Sequence, residues 1–516
     1  MTLKQLVFTR TTDCPNRNFR SEVDFDDVQG DVIVQFPKRA EDFTFFKIRD
    51  AALFKQHVMP SLIPKISSAA AVMEARENIA AFKSTGGSDL LPLEFVNIAF
   101  TYNGLKALGL NADELYASFD SNLDVLKKGQ LACATELGDP VENEVPKEWI
   151  DEFKNQHDQM HGVLLVAADS DTTLQKCRAD IESKLGNFVQ VIYKLQGQTR
   201  PGINKDHEHF GWKDGVSNPW LKGVFCECRK FPGQMEVERG NILVGHPGDN
   251  DRVDEADAVF PRPDWAKNGS YMAFRQYDQL VPEFHKWTAD NAIKLNIPGM
   301  SPEQLKEKGA ALRAAQLVGR WPSGTPLELS PHEDNPSISN NPSKINDFVF
   351  ELQDQTKCPF SAHIRKVNPR VDHASSGNDK EPFTFNSNNI VRAGIAYGPE
   401  LEPEEKSGSK TLRSRGLAFV AYQSDIIQGF QFQQSSWANN PDFPPTTHET
   451  ANSDVWGLDP LIGQNDKKRS LEKVPDARVT IDNQGSQLKF TRFVISRGGA
   501  YFFVPPMKTL KNLCTS

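Results

Sequence analysis

The sequence predicts a chain of mixed helices and strands, of the α/β or α+β class, built as two related halves. Three observations carry this. Short β-like runs such as Phe95–Phe100 and Val163–Ala168 alternate with helix-prone stretches such as Ile66–Phe82 and Thr173–Leu185, up to about residue 230. Strand-like pieces resume at Phe348–Phe350, Gly416–Tyr422 and Lys489–Ile495, so the order of elements loosely repeats. The chain also carries 33 Phe against 8 Tyr and 8 Trp, and many of these Phe fall inside the β-like runs. That usage suits a large sheet-and-helix core or the walls of an apolar cofactor cavity.

Taken in order, residues 1–25 lack periodicity and read as an extended arm. Two β-like runs, Asp31–Phe36 and Phe43–Ile48, flank the polar break Pro37–Asp42. The alanine-rich helix 66–82 follows, then the two buried strands, helix 173–185 and a strand over Val189–Leu195. From about 240 to 335 the composition turns loop-rich, with His246-Pro247-Gly248-Asp249 and Pro261-Arg262-Pro263-Asp264 as turn chemistry. One helix is well signalled there. Ser301 can cap it, Pro302 fits its first turn and Gln304 stands in capping-box register, which predicts a helix over Pro302–Val318. The charged stretch Glu400–Arg415 reads as a surface excursion without chemistry.

Composition excludes several classes. A length of 516 residues allows two to four ordinary domains or two enlarged ones. The net charge of -9 argues against a general nucleic-acid surface. No apolar run approaches the roughly 18 to 20 residues that cross a bilayer, so no membrane partner is expected. The N-terminus shows no hydrophobic signal region. As written the chain reads as cytoplasmic, and as extracellular if Met1 stands in place of a removed signal. The seven cysteines are odd in number and sparse, unlike a disulfide framework, and Cys226-Glu227-Cys228 has no second pair to complete a zinc site.

Three segments carry candidate chemistry. Cys358–Arg370 sets one imidazole, His363, just before the cations Arg365, Lys366 and Arg370. Neighbouring cations favour the neutral imidazole, which is a metal ligand, and haem iron is often held by one such ring. Guanidinium groups pair well with the two haem propionates. An exposed basic loop with an incidental His fits this segment alone equally well. The second segment is Phe210-Gly211-Trp212-Lys213-Asp214-Gly215, a carboxylate between glycines that allow close backbone approach to a flat ligand, or else a plain turn. The third is Ile390-Val391-Arg392-Ala393-Gly394-Ile395, an arginine in an apolar run that is costly to bury unless it faces an anion. His207 and His209 flank Glu208, but without a second cluster they read as a polar loop.

The ordered set Gly211-x-x-Asp214-Gly215, Ala362-His363-x-Arg365-Lys366 and Arg392 resembles the dye-decolorizing peroxidase family, fungal type. Val28-Gln29-Gly30-Asp31, Leu317-Val318-Gly319-Arg320-Trp321, Gly416-Leu417-Ala418-Phe419-Val420 and Gly498-Gly499-Ala500-Tyr501-Phe502-Phe503 resemble family segments in the same order, over roughly residues 26 to 507. The resemblance implies an α+β fold of two ferredoxin-like modules with antiparallel sheets and surrounding helices, of the dimeric α+β barrel type. The modules would span 26–235 and 236–516, the second holding one haem b and the loop-rich insertion.

By the same resemblance His363 is the iron ligand, Asp214 the distal acid–base group and Arg392 the charge stabiliser. Leu417 and Phe419 line the pocket, and Arg365 and Arg370 face the propionates. The partner of the His363 ring is Asp459, with Asp442 as rival; either reads equally well as a turn or cap aspartate. Tyr397 and Trp437 match positions of surface electron transfer, though a core role fits each.

The function implied is a haem peroxidase that uses hydrogen peroxide to oxidise dyes, phenolics and other aromatic donors, as monomer or homodimer. Its rivals are a haem carrier or iron-releasing protein, and a carotenoid-cleaving haem oxidase. The pair Asp214 and Arg392 argues for cleavage of an O–O bond rather than storage.

Overall fold

The computed structural model describes residues 21–87, 89–116, 123–249, 259–351, 354–370, 385–444, 457–464, 479–482 and 486–514. Most of the expected N-terminal arm lies outside them. The first unit runs β1 (Ala40–Ile48), α1 (Ala69–Ser84), β2 (Glu94–Phe100), β3 (Gly162–Ala168), α2 (Asp171–Leu185) and β4 (Val189–Gln198). Its strands pair antiparallel in the order β4-β1-β3-β2. Ser68 and Ser170 open the two helices by accepting from the backbone N–H of Ala71 and Thr173.

The second unit repeats the plan. It contains β5 (Ser270–Gln279), α3 (Val281–Asp290), α4 (Pro302–Val318), the short α5 (His363–Val367), β6 (Val391–Arg392), β7 (Ile395–Tyr397), β8 (Gly416–Gln423) and β9 (Val494–Val504). Strands β6 and β7 share one edge of β8, interrupted at Ala393-Gly394, and the order is β7-β8-β5-β9. Two further pairings, Gly197 with Tyr397 and Phe100 with Phe503, join the units and close the sheet into a ring. In that ring β1 and β5 stand diametrically opposite, yet the Phe45 and Phe274 rings lie 4.9 Å apart. The interior is therefore filled by side chains. Along β8, Ala418 and Val420 join that core while Leu417 and Phe419 face the other side, as strand alternation requires. The ferredoxin-like α+β class expected from the resemblance is the fold observed.

Local expectations fared unevenly. Helix Pro302–Val318 has the expected bounds and a complete Ser301–Gln304 capping box. The expected strand Asp31–Phe36 is instead a short helix, Gly30–Ile33, and a turn. Buried Asp31 causes this: one oxygen accepts from Phe36 N–H and the other from the Tyr422 hydroxyl. Phe348–Phe350 forms no strand; the two rings pack edge to face and lie against arginines instead. The loop-rich reading of 240–335 hid β5, a strand paired on both edges, because its Arg275 and Gln276 break the apolar pattern while buried. Nor is Glu400–Arg415 a simple surface excursion. It contains helix Pro403–Gly408, and a fully buried Glu405–Arg415 ion pair holds it.

Candidate functional site

A cavity of about 240 Å³ lies on the outer face of the second unit's sheet, walled by Leu417 and Phe419 of β8. His363, Asp214 and Arg392 all line it. Three separate segments, the first far from the other two in sequence, thus reach one space.

His363 is the first residue of α5, and its Nδ1 lies 2.8 Å from Asp459 Oδ2. The other Asp459 oxygen accepts from the backbone N–H of Leu461 and Ile462, at 2.8 and 3.0 Å. Asp459 is at once a turn aspartate and the partner of the imidazole; the hydrogen bond to the ring comes from Asp459 and not from Asp442. The Asp459 side chain is fully buried and that of His363 is 22% exposed. Among the described residues no hydrogen bond engages His363 Nε2, which leaves that nitrogen for a ligand.

Asp214 leaves a tight loop shaped by its own neighbours. Glu208 accepts from Phe210 N–H and Trp212 N–H, each at 2.8 Å, and Gly211 and Gly215 take φ of 109° and 68°, where an L side chain is strained. Burial pushes the Glu208 carboxyl up, against the pull of those N–H donors. Asp214 Oδ1 accepts from Gly215 N–H at 2.6 Å and lies 3.5 Å from Arg392 Nη1. Arg392 Nη2 donates to Ser217 O at 3.2 Å, and Asn218 exchanges hydrogen bonds with both the Arg392 N–H and its carbonyl. The backbone of β6 is pinned, so the guanidinium is aimed from a fixed base.

The basic segment behaves differently from the sequence reading. Arg365 does not line the cavity. It is fully buried, donates to the carbonyls of Glu351, Asp354 and Cys358, and lies against the Phe350 and Phe360 rings. Lys366 is likewise buried and donates to the Asn440 and Phe443 carbonyls. On the helix turn that starts at His363, these side chains point away from the side the imidazole faces. Arg370 does line the cavity, with Nη1 on the carbonyls of Gly233, Asn346 and Phe348 at 3.0 to 3.2 Å.

Arg320 lines the same cavity and was overlooked, although it too is an arginine in an apolar run, Leu317-Val318-Gly319-Arg320-Trp321. The argument applied to Arg392 would have found it. Burial, then Arg370 and Arg392, pull the Arg320 guanidinium down to about 9, and burial pulls Arg370 down to about 10. Arg320, Arg370 and Arg392 bring three guanidinium groups to one cavity lining, which suits an anion. Together with one available imidazole nitrogen, this donor set fits a haem and its propionates.

Neither expected surface aromatic is at the surface. Trp437 is 3% exposed and packs between Phe432 and Phe443. Tyr397 is 5% exposed; its hydroxyl donates to Asp278 and accepts from Gln276. His209 gives its ring nitrogen to the Tyr397 carbonyl at 2.9 Å and is held down to about 4 by burial.

Comparison with known proteins covers most of the chain. The sequence model of the DyP dimeric alpha+beta barrel domain matches residues 27–201. A dye-decolorizing peroxidase of Exidia glandulosa is 36% identical over 95% of this chain and 87% of its own length. One from Auricularia auricula-judae is 37% identical over 94% and 86%. Among solved structures, an ancestral D-type dye decolorizing peroxidase superposes with a TM-score of 0.82 at 42% identity, covering 95% of this chain and 99% of its own. A dye-decolorizing peroxidase in complex with 2,6-dimethoxyphenol superposes with a TM-score of 0.78 at 35% identity, covering 96% and 100%.

Proposed function

This chain belongs to the dye-decolorizing peroxidase family and is a peroxidase, and on that premise we propose that it reduces hydrogen peroxide to water at the His363–Asp214–Arg392 cavity, at the expense of phenol-type donors. The balance is one peroxide and two phenols to two waters and two phenoxyl radicals, each phenol losing one electron and one proton. The observation that carries the reading is the convergence, in one cavity, of a carboxylate-anchored imidazole with the Asp214–Arg392 pair.

Haem, when bound, supplies the iron that takes both oxidising equivalents. The chain's own residues do the rest. His363 Nε2 holds the group, and Asp459 fixes the ring orientation and raises its donor strength. Arg320 and Arg370 line the cavity and would be the guanidinium groups available to the propionates, a role expected of Arg365 and Arg370. Asp214 accepts a proton from one peroxide oxygen and returns it to the other, which requires an ionised carboxylate within hydrogen-bond reach. Arg392 stabilises charge as the O–O bond breaks. Leu417 and Phe419 exclude bulk water.

The test is an absorption spectrum of the haem-loaded protein before and after one equivalent of peroxide, followed by steady-state oxidation of 2,6-dimethoxyphenol. A red-shifted species that the phenol discharges supports the proposal. Haem-loaded protein with no peroxide-dependent phenol oxidation would sink it.

A further inference from the structure

A second cavity, of about 270 Å³, shares the wall Lys213–Asp214–Gly215–Val216 and Leu417 with the first but opens between the two units. Its floor is apolar, with Phe36, Ile79, Phe82 and Leu93. Six cations also line it; Lys38 pairs with Glu41 and Arg76 donates to the Gln35 carbonyl, which leaves Arg39, Lys83, Lys205 and Lys213. Among the described residues none of the four has a carboxylate within ion-pair distance. In a chain of net charge -9, which pairs many of its cations, four unpaired ones around one cavity need a reason.

The carboxylates of the same lining do not supply it. Asp169 accepts from Leu93 N–H, Glu208 from the 210–212 loop, Asp214 faces Arg392, and Asp89 and Asp206 lie beyond ion-pair distance of all four cations. Burial and the nearness of Lys205 and Arg39 lower the Lys83 ammonium, which shows that the three cations feel one another; Asp206 is the weakest influence on it.

We propose that this cavity is a subsite for a small aromatic carboxylate, its ring on the Phe36–Leu93 floor and its carboxylate among Arg39, Lys83 and Lys205. The volume lies at the low end of small-ligand sites and suits a single substituted ring rather than a fused dye. Partly exposed cations at the rim suit a carboxylate that must arrive and leave. Phenolic carboxylates would then be preferred over neutral phenols as donors, delivered beside Asp214. That last step rests on the peroxidase reading; the binding step does not.

Two probes separate the cases: 2,6-dimethoxyphenol and its 4-carboxylate, syringate, which share one phenol ring. Isothermal titration of the haem-loaded protein without peroxide should show syringate binding more tightly, by a margin that shrinks with added salt. In Lys83→Ala/Lys205→Ala that preference should fall about five- to tenfold, while exposed Lys306→Ala on α4 leaves it intact. Equal affinity for the two phenols in the native protein, or a preference unchanged in the double variant, overturns the proposal. Loss of phenol oxidation with the binding preference retained would instead indict the peroxidase reading alone.

Discussion

His363 Nδ1 and Asp459 Oδ2 stand 2.8 Å apart, and Asp459 is locked in turn by two backbone N–H groups. The imidazole thus has no freedom to rotate without breaking a buried, charge-assisted hydrogen bond. The relation fixes which ring nitrogen faces the cavity.

Asp459→Asn should keep the shape and lose the charge. A neutral amide holds the ring less firmly and makes the iron-facing nitrogen a poorer donor. Haem affinity and the rate of reaction with peroxide should each fall about 10- to 100-fold. Haemin titration and stopped-flow absorbance check this, with a rise in reduction potential as the independent sign. Unchanged affinity and potential would mean that Asp459 only shapes the turn.

Asp214 and Arg392 are 3.5 Å apart and should act as a unit. Asp214→Asn and Arg392→Leu should each slow the peroxide reaction about 10²-fold or more with haem still bound. The double variant should be little worse than the poorer single one, since each loss removes what the other supports. Stopped-flow rates decide it; simple multiplication of the two effects would show that the residues act independently.

Which parts of this were readable in the sequence follows from what decides each residue's placement. Helix Pro302–Val318 was legible to the residue because its capping box and proline are local signals. Strand β5 was not, because Arg275 is buried on contacts that no local pattern announces, with Asp139 and Ser496. His363 and Asp214 each allowed a bland reading in its own segment, and only the ordered resemblance to family motifs joined them to Arg392; all three line one cavity. The basic run after His363 misled. Spacing along the chain does not say which way a side chain leaves a helix: Arg365 and Lys366 turn to backbone carbonyls off the cavity, while distant Arg320, itself donating to the Gly324 and Ile345 carbonyls, stands in the cavity wall. Trp437 and Tyr397 failed as surface residues for the same reason: their exposure is set by elements remote in sequence.

Arg365 and Arg370 should therefore behave differently when truncated. Arg365→Met strips three carbonyls of their donor, that of Cys358 fully buried, and should cost about 3 kcal/mol of stability. Folded Arg365→Met should still take up haem with native affinity. Arg370→Met, at the cavity wall, should weaken haem binding by about tenfold. Urea denaturation beside haemin titration separates the two; a haem-binding defect in Arg365→Met at full stability would restore its expected propionate role.

Acid tolerance should depend on one ion pair far from the cavity. Arg415 holds Glu405 in a fully buried, two-pronged pair, and that hydrogen bonding keeps the Glu405 carboxyl at about 2, well below its ordinary 4.5. A depressed carboxyl favours the folded state wherever it is ionised in both states. Its contribution is thus complete above about pH 4.5 and is lost as pH falls towards 2. Glu405→Gln leaves Arg415 buried without its counter-charge and should cost about 3 kcal/mol at pH 7. The gap between native and variant protein should stay constant from pH 7 to 5, then narrow as the Glu405 carboxyl of the unfolded chain takes up its proton while the native pair stays ionised. Urea denaturation at pH 7, 5, 4 and 3 measures that gap directly. A gap independent of pH down to 3 would mean that the variant loses packing alone and that the charge of Glu405 contributes nothing.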